Sequence, residues 1–221
     1  LKPGSRIKEG DTIKVSYYHP VLIYWGAVFP CWMNDDLFVY AREQIEILEK
    51  YFKPKKYFMA HDEIRLAGWC ETCSQYGTCG KILAAHIRRY VDLIREINPE
   101  AELFVWNDMF DPFHNAKRHP YYLCASSFEG SWEGLDKSVI IANWYSGKRE
   151  KNMPFFRDHG YRQIIAGYYD SSDVKNRLEG WLQTADKYEG VTGVIYTTWS
   201  DNYTHMELFY KCLIEHIKAQ Q

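Results

Sequence analysis

The sequence has no apolar run near 18 residues, the length that a membrane-spanning helix needs. Its first four residues also lack the apolar segment of a secretory signal. Basic and acidic residues nearly balance, 27 against 29, and the formal net charge is −2. Such a chain offers no general attraction to nucleic acid or to an anionic membrane. We therefore expect neither partner, and the sequence leaves the cellular compartment open.

Cysteines are sparse, six in 221 residues, which is too few for a disulfide scaffold at this length. No internal repeat or low-complexity segment divides the chain. With 46% hydrophobic residues, the chain is long enough for one sizeable core and too short for two full-size enzyme domains. We expect a single domain over residues 1–221.

Aromatic residues are abundant, at 17% of the chain. Many of them stand near the polar ends of apolar runs. Flat amphipathic rings in a cleft suit carbohydrates, because sugar C–H faces stack on aromatic faces while hydroxyl groups seek polar partners. The alternative is that these rings simply belong to the core.

Apolar strand patterns alternate with helical patterns along the chain. We predict strands over 12–18, 56–62, 103–106, 138–142, 163–167 and 193–198. We predict helices from a cap within 34–36 to about 52, and over 80–97, 153–159, 174–188 and 208–218. Residues 21–36 are expected to form a loop over a pocket, and 111–136 a long connection with a short helix near Trp132.

This alternation predicts an α/β fold with a parallel sheet, and the strand spacing is typical of a (β/α)8 barrel of the TIM type. Six strands fall short of eight, so we predict a partial barrel comprising roughly the third to eighth βα units. Either the first units precede Leu1 in a longer protein or irregular pieces complete the sheet; the abrupt start favours the first interpretation. A partial barrel with an open edge could also form a homodimer.

Polar and aromatic residues follow the predicted strands, whose carboxyl ends meet on one face of a barrel. These clusters are His61-Asp62-Glu63, Trp106-Asn107-Asp108, Asn143-Trp144-Tyr145, Tyr168-Tyr169-Asp170 and Trp199-Ser200-Asp201. Together they predict a cup with aromatic walls and several carboxylates, a composition typical of carbohydrate active sites.

Three of these clusters make the chain resemble family 20 glycoside hydrolases, the β-N-acetylhexosaminidases, and particularly divergent bacterial members. The resemblance rests on the Asp62-Glu63 pair, on Tyr168 with Asp170, and on the segment Trp199 to Asp201. It implies a retaining hydrolase of terminal N-acetylhexosaminides. In that family the substrate's own acetamido oxygen attacks the anomeric carbon, and no cofactor takes part.

The resemblance also implies roles for individual residues. Glu63 would be the general acid and base, and Asp62 would orient the acetamido group. Tyr168 would bind the acetamido oxygen and Asp170 the acetamido N–H. Trp144 and Trp199 would enclose the acetamido methyl group and the sugar face, together with Trp106.

The sequence departs from the family at three points. Asp201 stands where the family usually has Glu to contact sugar hydroxyls. The sugar-binding Arg of the first strand is missing, and Ala60-His61 replaces the usual Gly-Gly before the acid pair. His61 could bind a hydroxyl group or Asp62, or it could be structural. Tyr145 and Asp108 remain candidate substrate contacts by position alone.

Two other functions remain open at this point. A retaining glycosidase could use Asp170 as a protein nucleophile, with Glu63 as acid and base. The chain could instead be a non-catalytic, degenerate barrel that only binds carbohydrate.

The pair Cys70-x-x-Cys73, followed by Cys79, has the spacing of zinc ligands. Cys31 or His86 could complete such a site. Because a second pair is missing, loop thiols or a local disulfide are the favoured interpretation, and we predict no metal.

Overall fold

The computed structural model describes residues 4–15 and 29–220. Six helices are α1 (Asp35–Tyr51), α2 (Glu71–Ser74), α3 (Cys79–Ile97), α4 (Arg149–Asp158), α5 (Val174–Ala185) and α6 (Met206–Ala219). Five strands are β1 (Lys56–Phe58), β2 (Glu102–Trp106), β3 (Ile140–Asn143), β4 (Gln163–Ala166) and β5 (Val191–Ile195). Short 3-10 helices cover Asp108–Phe110, Ser131–Gly134 and Ser146–Lys148.

The strands form one parallel sheet in the order β1-β2-β3-β4-β5. Strands β3 and β4 are buried at every position, which explains their continuous apolar sequence. The predicted α/β class with a parallel sheet is therefore confirmed.

The two longest helices begin and end where their sequences indicate. The Asn34 side chain accepts a hydrogen bond from the Asp36 N–H at 2.8 Å and caps α1. The Thr78 hydroxyl oxygen accepts one from the Lys81 N–H at 3.3 Å and caps α3, which ends before Pro99. The apolar faces of both helices pack into the main core, which also contains Leu103 of β2.

Four predictions need correction in their details. Residues 12–15 form no strand, and the rest of the predicted 12–18 strand lies outside the described residues. Strand β1 ends at Phe58 rather than at 62, because Ala60 and His61 adopt left-handed backbone angles. Strand β5 starts at Val191 and ends at Ile195 instead of 198, and helix α4 starts at Arg149, four residues early. Residues 21–28 of the expected loop also lie outside the described part of the chain.

One face of the sheet borders a hollow. Side chains from all five strands line a single hollow of about 460 Å³, and Phe58 of β1 shares it with Ile195 of β5. Phe104, Ile140 and Ile164 form its apolar floor. The first and last strands of the sheet therefore border the same space.

Among the described residues, no helix combines the length and apolarity needed to cross a membrane.

Candidate active site

A cleft lies at the carboxyl-terminal edge of the sheet, where the ends of the parallel strands meet. Its volume is about 110 Å³. The residues that line it are Asp62, Glu63, Trp106, Trp144, Tyr169 and Trp199. Five of these six were predicted site residues, and Tyr169 is the addition. The structure thus brings two acids and four aromatic rings from five different strand ends to one place.

A strained backbone holds the acid pair at the cleft. Ala60, His61 and Glu63 have φ angles of 56°, 65° and 44°, which non-glycine residues rarely adopt. Such conformations cost about 1–3 kcal/mol each and persist only where the surroundings impose them. Here the Glu63 N–H donates to Asp108 Oδ2 at 2.9 Å. The turn after β1 is therefore held by the next strand's loop.

Asp108 is the buried residue that fixes this turn. It is fully buried and also accepts a hydrogen bond from the Asn115 amide at 2.8 Å. Burial, and then the nearby Asp62 charge, raise the pKa of Asp108 to about 7, although the Glu63 N–H opposes the shift. Asp108 does not line the cleft, so the structure gives it a supporting position rather than the predicted substrate contact.

The two cleft acids have different surroundings. Burial raises the pKa of Asp62, against the opposing charge of Arg65. Glu63 accepts a hydrogen bond from the Arg65 guanidinium at 2.5 Å and keeps 39% of its side chain exposed. The Asp62 carboxyl is therefore harder to ionise than that of an exposed aspartate, and the Glu63 carboxylate is ion-paired with Arg65.

The aromatic walls contact one another around the cleft. The Trp144 and Tyr169 rings are nearly parallel, at 13° with centroids 6.0 Å apart. Trp199 lies 6.4 Å from Trp106 and 6.1 Å from Tyr169. The backbone N–H of Trp144 also donates to Asn107 Oδ1 at 3.3 Å, which ties the β3 loop to the β2 loop. The rings offer flat apolar faces beside the two acids.

Tyr168 lies away from the cleft, although the resemblance assigned it a substrate contact. Its ring is buried between the sheet and α5, and it stacks on Tyr196 with centroids 4.1 Å apart. The neighbouring Tyr169, whose φ angle is 60°, lines the cleft instead. The sequence signal that could have pointed to Tyr169 was the adjacent pair of tyrosines, because neighbouring residues at a strand end face opposite sides.

Asp170 binds the loop after β5. It accepts hydrogen bonds from the Thr198 hydroxyl at 2.5 Å and from the Trp199 and Ser200 N–H groups at 2.5 and 3.2 Å. Burial opposes ionisation, but these hydrogen bonds together lower the pKa of Asp170. Its carboxylate therefore holds Trp199 in place and does not line the cleft.

Three other predicted contacts also lie outside the cleft lining. Tyr145 is half exposed and stacks on His114. Asp201 is exposed, with φ 52°. His61 packs against the rings of His86 and Tyr90, and burial, followed by the His86 charge, lowers the pKa of His61 to about 3. His61 is therefore neutral near pH 7 and lies among these rings.

Sequence reasoning missed Asn115, which lies in the long loop after β2 and binds Asp108. No periodic pattern or motif marks this residue in the sequence. Only the fold of the loop places its amide against the buried carboxyl.

The predicted cysteine candidates separate in the structure. The Cys70 and Cys73 sulfurs lie together with that of Cys31. Cys79 is buried elsewhere, where its thiol faces the Ala67 carbonyl oxygen at 3.6 Å. A hydrogen bond with the Cys124 thiol lowers the pKa of Cys79 to about 6.

A scan against protein-family models finds no match to this chain, and a search of curated proteins also finds none. The likeness to family 20 glycoside hydrolases therefore rests on the residues and their arrangement alone.

Proposed function

We propose that the protein is a retaining glycoside hydrolase that removes terminal N-acetylhexosamine residues with assistance from the substrate's acetamido group. The observation that carries the proposal is the cleft at the sheet's carboxyl-terminal edge. The adjacent acids Asp62 and Glu63 line this cleft together with four aromatic residues. Sugar rings stack on such faces, and glycosidic bond cleavage requires positioned carboxyl groups.

In this proposal Glu63 protonates the leaving oxygen and later activates water, and Asp62 orients the acetamido group. The raised pKa of Asp62 suits a carboxyl group that lies in a partly dry pocket. Glu63 must exchange its ion pair with Arg65 for the leaving oxygen when substrate binds. Tyr169, not Tyr168, takes the tyrosine position that faces the substrate.

We further propose that the sheet is part of a (β/α)8 barrel. Three features support this architecture: the strands are parallel, their spatial order follows the chain, and residues of all five line one hollow. The acids and rings lie at the strand ends where barrel enzymes place their chemistry.

The Asp170 nucleophile alternative has less support. Three donors already occupy the Asp170 carboxylate, and the residue does not line the cleft. A nucleophile must reach the anomeric carbon directly. A non-catalytic carbohydrate-binding protein would share the aromatic walls, so hydrolysis itself separates that possibility.

The test is hydrolysis of 4-nitrophenyl N-acetyl-β-D-glucosaminide and N-acetyl-β-D-galactosaminide. The Glu63→Gln substitution should lower kcat at least about 100-fold, the usual contribution of a general acid or base. Asp62→Asn should also lower kcat, because the neutral amide orients the acetamido group less well. Glu46→Gln, on the exposed face of α1, is the matched control and should retain full activity.

Equal background rates in the unmodified protein and in Glu63→Gln would exclude the enzyme hypothesis. If both carry out hydrolysis with different rates, a 2-deoxy-2-fluoro glycoside distinguishes the mechanisms. A covalent adduct on Asp170 would support the protein nucleophile and would contradict substrate assistance.

A further inference from the structure

Three cysteine sulfurs converge at one place outside the cleft. Cys31 precedes α1, and Cys70 and Cys73 lie at α2, far along the chain from it. The Cys70 and Cys31 sulfurs are 3.2 Å apart, and the Cys31 and Cys73 sulfurs are 3.5 Å apart. All three lie within 4.8 Å of one another. Among the described residues, these three form the one such group of possible metal ligands.

These distances are too long for a disulfide bond and slightly shorter than those of a zinc site. A disulfide bond measures about 2.05 Å and joins only two sulfurs. Zinc–sulfur bonds of about 2.3 Å at tetrahedral angles put thiolate sulfurs about 3.8 Å apart. The observed separations are close to that value, and a small outward movement would admit the ion. Thiolates are the soft ligands that zinc prefers in tetrahedral sites.

The local backbone already suits a zinc-binding turn. Cys70 precedes the single turn of α2, and its sulfur accepts a hydrogen bond from the Cys73 N–H at 3.3 Å. A backbone donor at a sulfur stabilises negative charge on it. Cys73 is buried and Cys70 is exposed, so the cluster extends from the interior to the solvent.

We propose that Cys31, Cys70 and Cys73 bind one Zn²⁺ ion, with water from the exposed side as the fourth ligand. The ion would join the segment before α1 to the segment that follows the acid pair. Trp32, beside Cys31, contacts the rings of His86 and His61, at 4.6 and 5.7 Å. The zinc would thereby fix Trp32 against the turn that carries the acids. This site is independent of the proposed hydrolase activity.

The test is metal analysis of protein produced in zinc-supplemented medium and purified under reducing conditions. We expect about one zinc per chain in the unmodified protein and less than about one tenth of that in Cys70→Ser and Cys73→Ser. Cys212→Ser, a half-buried cysteine of α6, is the matched control and should retain the zinc. Cobalt substitution should give a thiolate-to-metal charge-transfer band that both serine variants lose.

Cys70 is exposed, so its serine variant should fold even if the buried Cys73→Ser variant does not. Circular dichroism checks this point. Zinc below one tenth of an equivalent in the folded, unmodified protein would overturn the proposal. Thiol titration in denaturant would then show the cause: four reactive thiols instead of the six would reveal a disulfide, and six would show free thiols without metal.

Discussion

The buried carboxyl group of Asp108 makes the stability of this protein depend on pH in a specific way. Asp108 is fully buried, and burial is the largest reason that its pKa rises from 3.8 to about 7. The unfolded chain loses the same proton near pH 3.8. Between these two pKa values Asp108 is therefore protonated in the folded state and ionised in the unfolded state. Above the folded pKa, the folded state must either hold the charged carboxylate in its interior or expose it to solvent. The Asp108→Asn substitution keeps an acceptor for the Glu63 N–H but removes this titration.

The direction and size of this pH dependence follow from the linkage between proton binding and folding. Because the folded pKa is the higher one, the Asp108 contribution to stability is fully present below about pH 4 and is lost as pH rises through about 7. The folded pKa lies roughly two pH units above pH 5, and the free energy of unfolding changes by about 1.36 kcal/mol for each unit. The free energy of unfolding contributed by Asp108 should thus fall by roughly 2–3 kcal/mol between pH 5 and pH 8.

Urea unfolding at about pH 5 and pH 8 measures this change. Burial also raises the pKa of Asp111, to about 6, and lowers that of His86, to about 4, so the unmodified protein alone is not informative. The difference between the protein and Asp108→Asn cancels those groups and isolates Asp108. Asp92→Asn, an exposed aspartate of α3, is the control and should leave the pH dependence unchanged. A difference that stays constant between the two pH values would refute the reasoning.

Three further substitutions test packing and binding. Gly134→Ala should lower the free energy of unfolding by about 1–3 kcal/mol, because the added methyl would lie 2.2 Å from the Ala84 Cα of α3. Gly180→Ala, in α5, would place the added methyl at an ordinary contact distance of 3.4 Å from the Arg149 guanidinium. Thermal unfolding should show it to be neutral or stabilising by up to about 1 kcal/mol. A loss of stability equal to that of Gly134→Ala would contradict the packing argument. If the proposed function holds, Trp199→Ala should raise KM roughly fivefold, because the indole contributes about 1 kcal/mol of stacking on the sugar. The fold should not change, because Trp199 is 60% exposed. An unchanged KM would exclude Trp199 from the sugar site.

The periodic pattern of the sequence determined the α/β class, the parallel sheet and most helix boundaries. Apolar runs such as 103–105 and 163–166 are buried on both faces, and that burial is what a run without alternation indicates. Caps such as Asn34 act through neighbouring backbone groups, so they too are local and readable. The acid pair and three tryptophans were found in the same way, because residues at the carboxyl ends of parallel strands share one edge.

Tertiary structure decided which of those strand-end residues reach the cleft. Whether Tyr168 or Tyr169 faces the cleft depends on a left-handed backbone angle that the surrounding loops impose. Asp108 was predicted as a substrate contact by position and Asp170 by the family resemblance, but their carboxylates bind backbone N–H groups of other loops. The meeting of Cys31 with Cys70 and Cys73 likewise joins distant segments. Contacts of this kind depend on how separate loops pack in three dimensions, and no local sequence pattern encodes them.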